Sequence, residues 1–207
     1  MTPAEIETAA RQQYNAVGDT NWSAAEIYTL ITLGCNEMAR FAKCIEKTAT
    51  DTSVASTRAY SNPTRWIEYK RIEYDGQKLE PITFREDDQL SLTGAASTDT
   101  GTPGGYAQFA SSIYLRPIPA TSALTITFYY YATHAAITTS SQTIEIPEHF
   151  HGYLVDYVLY RMYLKDKDPA SASEYKGNWI QGMKEARAWQ ARKKRGDAPA
   201  HVHDEGI

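Results

Sequence analysis

The chain has 207 residues and a mass of 23.2 kDa, with 42% hydrophobic and 22% charged residues and a net charge of -4. That is an ordinary globular composition, long enough for one sizeable core or two small ones, and its acidic balance excludes a protein that coats duplex nucleic acid through clustered, unopposed cations. No apolar run approaches the ~20 residues that span a bilayer, and the N-terminus lacks the basic-then-apolar pattern of a signal peptide, so no membrane segment is expected.

Thr2-Pro3-Ala4-Glu5 combines a hydroxyl N-cap, a proline at the first helical position and a glutamate at the third. It predicts a short helix to about Asn15, ending near Gly18. Ser23-Ala24-Ala25-Glu26 is a second capping box, after which Ile27, Leu30, Ile31, Gly34, Met38, Phe41 and Ile45 recur at helical spacing. Gly34 on that apolar stripe costs roughly 1 kcal/mol in helix propensity, an expense that close approach of a neighbouring element would offset. Cys35 and Cys44 on one helix would be nine steps of about 100° apart and so on opposite sides. They are expected neither to bridge nor to share a metal, and two lone thiols suit synthesis in a reducing cytosol.

From Ala49 to Ser61 the chain is Thr/Ser-rich and has no helical periodicity. Arg65 to Tyr74 reads as a strand with imperfect alternation, Asp75-Gly76 as a two-residue turn, and Lys78 to Ile82 as the returning strand with Pro81 at its edge. Thr83-Phe84-Arg85-Glu86 is a further capped start, of a helical turn reaching Leu90, and Ser91 to Gly105 reads as a loop. Tyr106 to Phe109, Ile113 to Arg116 and Leu124 to Tyr131 are predicted strands. In the last, Leu124, Ile126, Phe128 and Tyr130 share one face, and Thr125, Thr127, Tyr129 and Tyr131 the other.

After Pro147, Phe150, Tyr153, Leu154, Tyr157, Val158, Tyr160, Met162 and Leu164 leave almost no polar face, which predicts a helix surrounded by protein. A break at Asp168-Pro169 precedes a last helix with Tyr175, Trp179, Ile180, Met183 and Ala186 on its inner stripe. The fold class that follows is α+β. The N- and C-terminal helices pack together as a bundle (1–48 and 147–194) around an inserted antiparallel β-domain (49–146), a small sandwich or open barrel, with 195–207 a flexible tail.

Fifteen tyrosines stand against five phenylalanines. Tyrosine couples a flat apolar body to one hydroxyl and suits half-buried subunit contacts, and it also has high strand propensity. Catalytic patterns are missing: there is no nucleophile elbow, no Cys–His motif and no phosphate-binding Gly loop, so an enzyme is not the expectation, and no cofactor or metal is implied. His149 and His151, two apart on a helix, diverge by about 200° and read as helix-start residues. His201 and His203, with Asp204 and Glu205, read as a solvated tail, and Glu86-Asp87-Asp88 as a solvated turn. Lys184, Arg187, Arg192, Lys193, Lys194 and Arg195 face only Glu185 over the same stretch. Such cations complement the C-terminal helix dipole or anchor an acidic partner surface.

Gly101-Thr102-Pro103-Gly104-Gly105-Tyr106-Ala107, Ile113-Tyr114-Leu115-Arg116-Pro117-Ile118-Pro119 and Leu124-Thr125-Ile126-Thr127-Phe128-Tyr129-Tyr130 together resemble the head-to-tail adaptor (connector) proteins of tailed bacteriophages. There a Gly-x-Pro-x-x-Tyr turn leads into a strand ending Pro-x-Pro and then a strand of paired tyrosines. The Asp75-Gly76 turn, the capped N-terminal helix and the paired C-terminal helices follow the same order, roughly from Ala4 to Lys194. One departure is Ala110-Ser111-Ser112, where the pattern calls for glycine before the strand.

The resemblance implies a virion structural protein made in the host cytoplasm and placed at the neck. It would form a homo-oligomeric ring of twelve subunits that docks under the portal protein and extends the DNA channel without sequence-specific DNA binding. The ring would also offer a platform for tail or nozzle proteins. Portal docking would map onto Trp189, Arg192, Lys193, Lys194, Arg195, His201 and His203, and contacts with subunits or tail onto Tyr129, Tyr130, Tyr131, Tyr157 and Tyr160. Two other readings stay open: a carbohydrate-binding or adhesion module using exposed Tyr and Trp of the β-domain, and an enzyme whose site carries no recognisable motif.

Overall fold

In the computed structural model, which describes residues 1–15, 21–92 and 99–196, both N-terminal capping boxes close. Helix α1 (Pro3–Gln13) begins with Thr2 Oγ1 accepting from the Glu5 amide while the Glu5 carboxylate accepts from the Thr2 amide at 2.9 Å. Ser23 and Glu26 repeat the exchange at the start of helix α2 (Ala24–Ala42).

Helix α2 stops before the apolar periodicity does. Lys43 turns left-handed (φ 53°) and donates its amide to the Ala39 carbonyl, and the chain leaves as strand β1 (Glu46–Thr52). Cys44 therefore lies beyond the helix rather than across it from Cys35, which corrects the expected geometry. Both thiols are buried and free. Burial pushes Cys35 far above its ordinary range, and Cys44 stands near enough to oppose its ionisation further; burial takes Cys44 itself up to about 11.

Two compact units make up the chain: Met1–Ile45 with everything from Thr133 onward, and Glu46–Ala132. Residues 133–146 group with the helices because α2 side chains hold their backbone. The His134 amide donates to Asn36 Oδ1 at 2.8 Å and the Ile137 amide to Thr32 Oγ1 at 3.0 Å.

In the helical unit, a 3₁₀ turn (Glu148–Phe150) leads into α4 (His151–Lys165), which is followed by α5 (Pro169–Gly196). The N- and C-terminal helices pack together, α1 and α2 against α4, and α2 and α4 against α5. Ile6, Ile27, Ile31, Met38, Leu154, Val158, Met162, Trp179 and Ala186 form the interior. Gly34 has the close neighbour its position implies: a Cβ there would lie 2.8 Å from Cδ1 of Tyr157. Gly182 on α5 does the same for Tyr153, so two α4 tyrosines lie against glycines of the two flanking helices. His151 is buried, with Nε2 2.8 Å from the Ile146 carbonyl and Nδ1 2.9 Å from the Met1 amine.

The second unit continues from β1 with β2 (Ala59–Ser61), β3 (Trp66–Tyr74), β4 (Gln77–Lys78), β5 (Glu80–Ile82), α3 (Phe84–Leu92), β6 (Thr100–Gly101), β7 (Gly105–Phe109), β8 (Ser112–Arg116), β9 (Ile118–Pro119) and β10 (Thr125–Ala132). One antiparallel sheet runs β1-β10-β3-β4 and a second runs β2-β8-β7-β5. Asp75 and Gly76, both at positive φ, make the tight turn between β3 and β4. The predicted return strand divides at buried Leu79: β4 stays with β3, whereas β5 crosses to pair parallel with β7. A second parallel pair, β6 with β9, also departs from the antiparallel expectation.

Ile72, Tyr74, Ile126 and Phe128 are buried on the first sheet and Ala107, Ile113 and Leu115 on the second. Tyr69 reaches Tyr106 edge-on at 6.2 Å between them. Ala110, where the family pattern calls for glycine, sits at φ 51° in the β7–β8 turn, a conformation glycine adopts without strain. Asp87 on α3 is fully buried and pairs with Arg58 and Arg116, so it is a structural ion-pair centre rather than the solvated residue expected.

Candidate functional site

The outward side of α2 carries Glu26, Thr29, Leu30, Leu33, Glu37, Arg40 and Phe41, of which Leu30, Leu33 and Phe41 are apolar residues outside its buried stripe. Against α4 it forms two adjoining hollows of about 360 and 490 Å³. Trp22, Glu26, Leu30 and Lys165 line the first, Leu33, Arg40, Phe41 and Tyr157 the second, and Arg161 borders both. Leu33 is 43% exposed and Phe41 42%, so Phe41 lies at the open edge of the stripe, not inside it as expected.

Cations cover the aromatic rings of this face. Lys165 Nζ stands 4.0 Å from the Trp22 ring centre, and Arg187 5.3 Å from that of Phe41. Arg161 donates to the Tyr157 hydroxyl at 3.3 Å, and Lys176 lies 5.9 Å from the Tyr160 ring. Lys165 also bonds Glu26 at 2.9 Å, and this contact, with the Ser23 capping bonds, brings the Glu26 carboxyl down to about 2. Burial raises the Tyr157 hydroxyl above its ordinary range.

At the far end of α5, Trp189 is half-buried, edge-on to His149 at 5.2 Å and to Phe150 at 6.0 Å, with Lys193 5.8 Å from its ring. Arg192, Lys193 and Lys194 are exposed, and Arg195 belongs to the last turn of the helix. The structure thus brings Trp189 and Lys193 together and leaves the cations at the surface. His201 and His203 lie outside the described residues.

The tyrosine candidates separate by burial. Tyr157 is enclosed and meets Tyr160, itself half-exposed, at 6.1 Å. Tyr130 and Tyr131 are only 7% and 2% exposed. The register against β3 skips Lys70 and Ile67, so the bulges lie in β3 while β10 pairs residue for residue with β1. Tyr130 continues the buried face of Ile126 and Phe128. Tyr131 alternates onto the side of Tyr129 but is covered. Tyr129 remains half-exposed, its ring under Arg71 at 4.5 Å, and with Lys70 and Arg71 lines a hollow of about 290 Å³.

The family model described as SU10 adaptor protein matches residues 1–203. The chain belongs to the SU10 adaptor protein family. No curated protein matches it. Membership makes this SU10-family chain a bacteriophage structural adaptor, in a family not known for catalysis. Among the described residues, no helix is long and apolar enough to cross a membrane and no group of three His, Cys, Asp or Glu side chains is placed to hold a metal ion. The groove residues Trp22, Leu33, Arg40, Arg161 and Lys165 were not legible as a set, because they come from helices far apart in sequence. Leu33, apolar but off the buried stripe of α2, is the one local signal for them.

Proposed function

We propose that this adaptor subunit assembles into a ring of twelve at the virion neck, docked beneath the portal protein and bearing tail or nozzle proteins. The family match across residues 1–203 carries the reading. The exposed cations Arg192, Lys193 and Lys194 at the close of α5, with the segment after them, form the portal-docking end, where clustered positive charge meets an acidic surface. Tyr129 and Tyr160 are the tyrosines left available for subunit or tail contacts. DNA passes through the ring without sequence-specific contact, and a subunit of net charge -4 suits that passage, because like charge repels phosphate. The carbohydrate-module reading finds less support, since Arg71 already occupies one face of the Tyr129 ring.

Mass measurement in solution with and without purified portal tests the assembly. A defined multimer on portal is the expected result, and a chain that stays monomeric in both conditions refutes it. Deletion of residues 192–207 tests the docking end: it should abolish portal binding while leaving the far-ultraviolet circular dichroism of the rest unchanged. Unaltered binding by the truncated chain refutes that assignment.

A further inference from the structure

A subunit that closes a ring head-to-tail needs two unlike patches, one to give and one to receive, whereas a self-complementary patch stops at a dimer. Large apolar side chains that stand conspicuously open among the described residues are few. Leu33, Phe41, Leu164 and Ile180 belong to the helical unit, and Val54, Phe84 and Phe109 to the β unit.

On the helical unit these side chains belong to one kind of surface. Leu33 and Phe41 border the larger hollow of α2 and α4. Leu164 stands one turn beyond Tyr160 and Arg161 on α4. On α5, Lys176, Ile180, Met183 and Arg187 follow at spacings of four, three and four, hence along one side of the helix. That side is turned toward the same surface, since Lys176 stands over Tyr160 of α4 and Arg187 over Phe41 of α2. The charged fringe is Arg40, Arg161, Lys176 and Arg187, while Glu26 is engaged by Lys165 and Glu37 accepts from the Trp179 indole at 3.4 Å. This face is apolar at its floor and mainly cationic at its edge, with Glu37 beside Arg40 a charge of opposite sign.

On the β unit, Phe84 at the start of α3 stacks on Phe109 with ring centres 4.7 Å apart, and Tyr114 meets Phe84 edge-on at 6.1 Å. Phe109 is 54% exposed and adjoins the Ala110-Ser111 turn, so the pair stands at a hairpin corner. Asp88, exposed, lies one helical turn from Phe84, with Arg85 and Glu86 also exposed beside it, so two carboxylates face one guanidinium there. Stacked ring faces beside a carboxylate are what guanidinium groups over an apolar floor accept.

We infer that the α2–α4–α5 face of one subunit receives the Phe84–Phe109 corner of a second copy of this chain, with Arg40 and Arg187 meeting the rings and Asp88. The inference rests on the ring reading and names the surfaces that join its members.

The test uses the full chain on portal. One variant reverses the receiving face (Arg40→Glu with Arg187→Glu), a second reverses the corner (Asp88→Lys with Ser111→Lys), and Phe109→Ala removes the apolar anchor alone. Circular dichroism and melting temperature establish that each is folded. Each alone should lower multimer formation at least tenfold. An equimolar mixture of the two charge variants should restore it, because the reversed face accepts the reversed corner and the unreversed face accepts the unreversed corner. If the separate variants assemble as the wild type does, or if both fail and the mixture does not recover, the pairing of these surfaces is wrong while the ring stands. If the wild type itself never multimerises on portal, the ring reading falls and this inference with it.

Discussion

Gly34 offers a direct measure of how closely α2 and α4 are packed. A methyl group there would sit 2.8 Å from Cδ1 and 3.1 Å from Cγ of Tyr157, and 3.4 Å from Cδ2 of Leu154. Those ring atoms cannot retreat, since Tyr157 is buried and its ring packs against Trp179 at 4.9 Å. Overpacking of such a contact costs about 1–3 kcal/mol, against a gain of roughly 1 kcal/mol in helix propensity. Gly177 on α5 supplies the control, because a Cβ there meets nothing within 4 Å and only the propensity gain applies. Gly177→Ala should therefore raise the melting temperature, and Gly34→Ala should fall below it by about 1–3 kcal/mol, or about 2–12 °C for a chain of this length. Thermal unfolding followed at 222 nm, where the helices dominate, reads both variants. If Gly34→Ala proves as stabilising as Gly177→Ala, the close α2–α4 contact is refuted.

Burial holds His151 below its ordinary range, so the fold keeps the neutral ring. Its stabilising contribution is complete above about pH 6.5 and is lost as pH falls through the histidine range. The melting temperature should drop between pH 7.5 and 5.5, and less steeply in His151→Phe; equal slopes would count against a neutral buried ring. Both thiols, raised by burial, should stay silent to Ellman's reagent at pH 8 until denaturant is added, and rapid native labelling would contradict their enclosure. Asp87→Ala leaves Arg58 and Arg116 without the carboxylate between them and should cost about 3–5 kcal/mol, seen as faster proteolysis within 46–132. Unchanged proteolysis would show that this ion-pair centre does not hold α3.

The short-range features were the most legible. Thr2/Glu5, Ser23/Glu26 and Thr83/Glu86 each close over three residues, and Asp75-Gly76 needs only two positive φ angles. Gly34 was legible too, since a glycine on an apolar helical stripe implies a neighbour even when the neighbour is unknown. Strand β1 was not: Glu46–Thr52 has no apolar alternation and becomes a strand only by pairing with β10. The docking cations could be named along α5, whereas the groove of α2 and α4 could not, because its two walls are more than a hundred residues apart in the chain.

Local chemistry by itself therefore settled where helices begin, where the chain turns and that its two ends form one helical body. Folding in three dimensions decided which tyrosines are hidden. Tyr130 follows the period-two face of Ile126 and Phe128, but Tyr131, on the other face, is only 2% exposed, which no period-two reading of β10 contains. It also decided that Leu33, Phe41 and Arg161 form one surface and that Asp87 lies between two arginines. Capping and turn formation involve neighbours a few residues apart, while burial, register and charge pairing depend on partners that only the folded chain brings within reach.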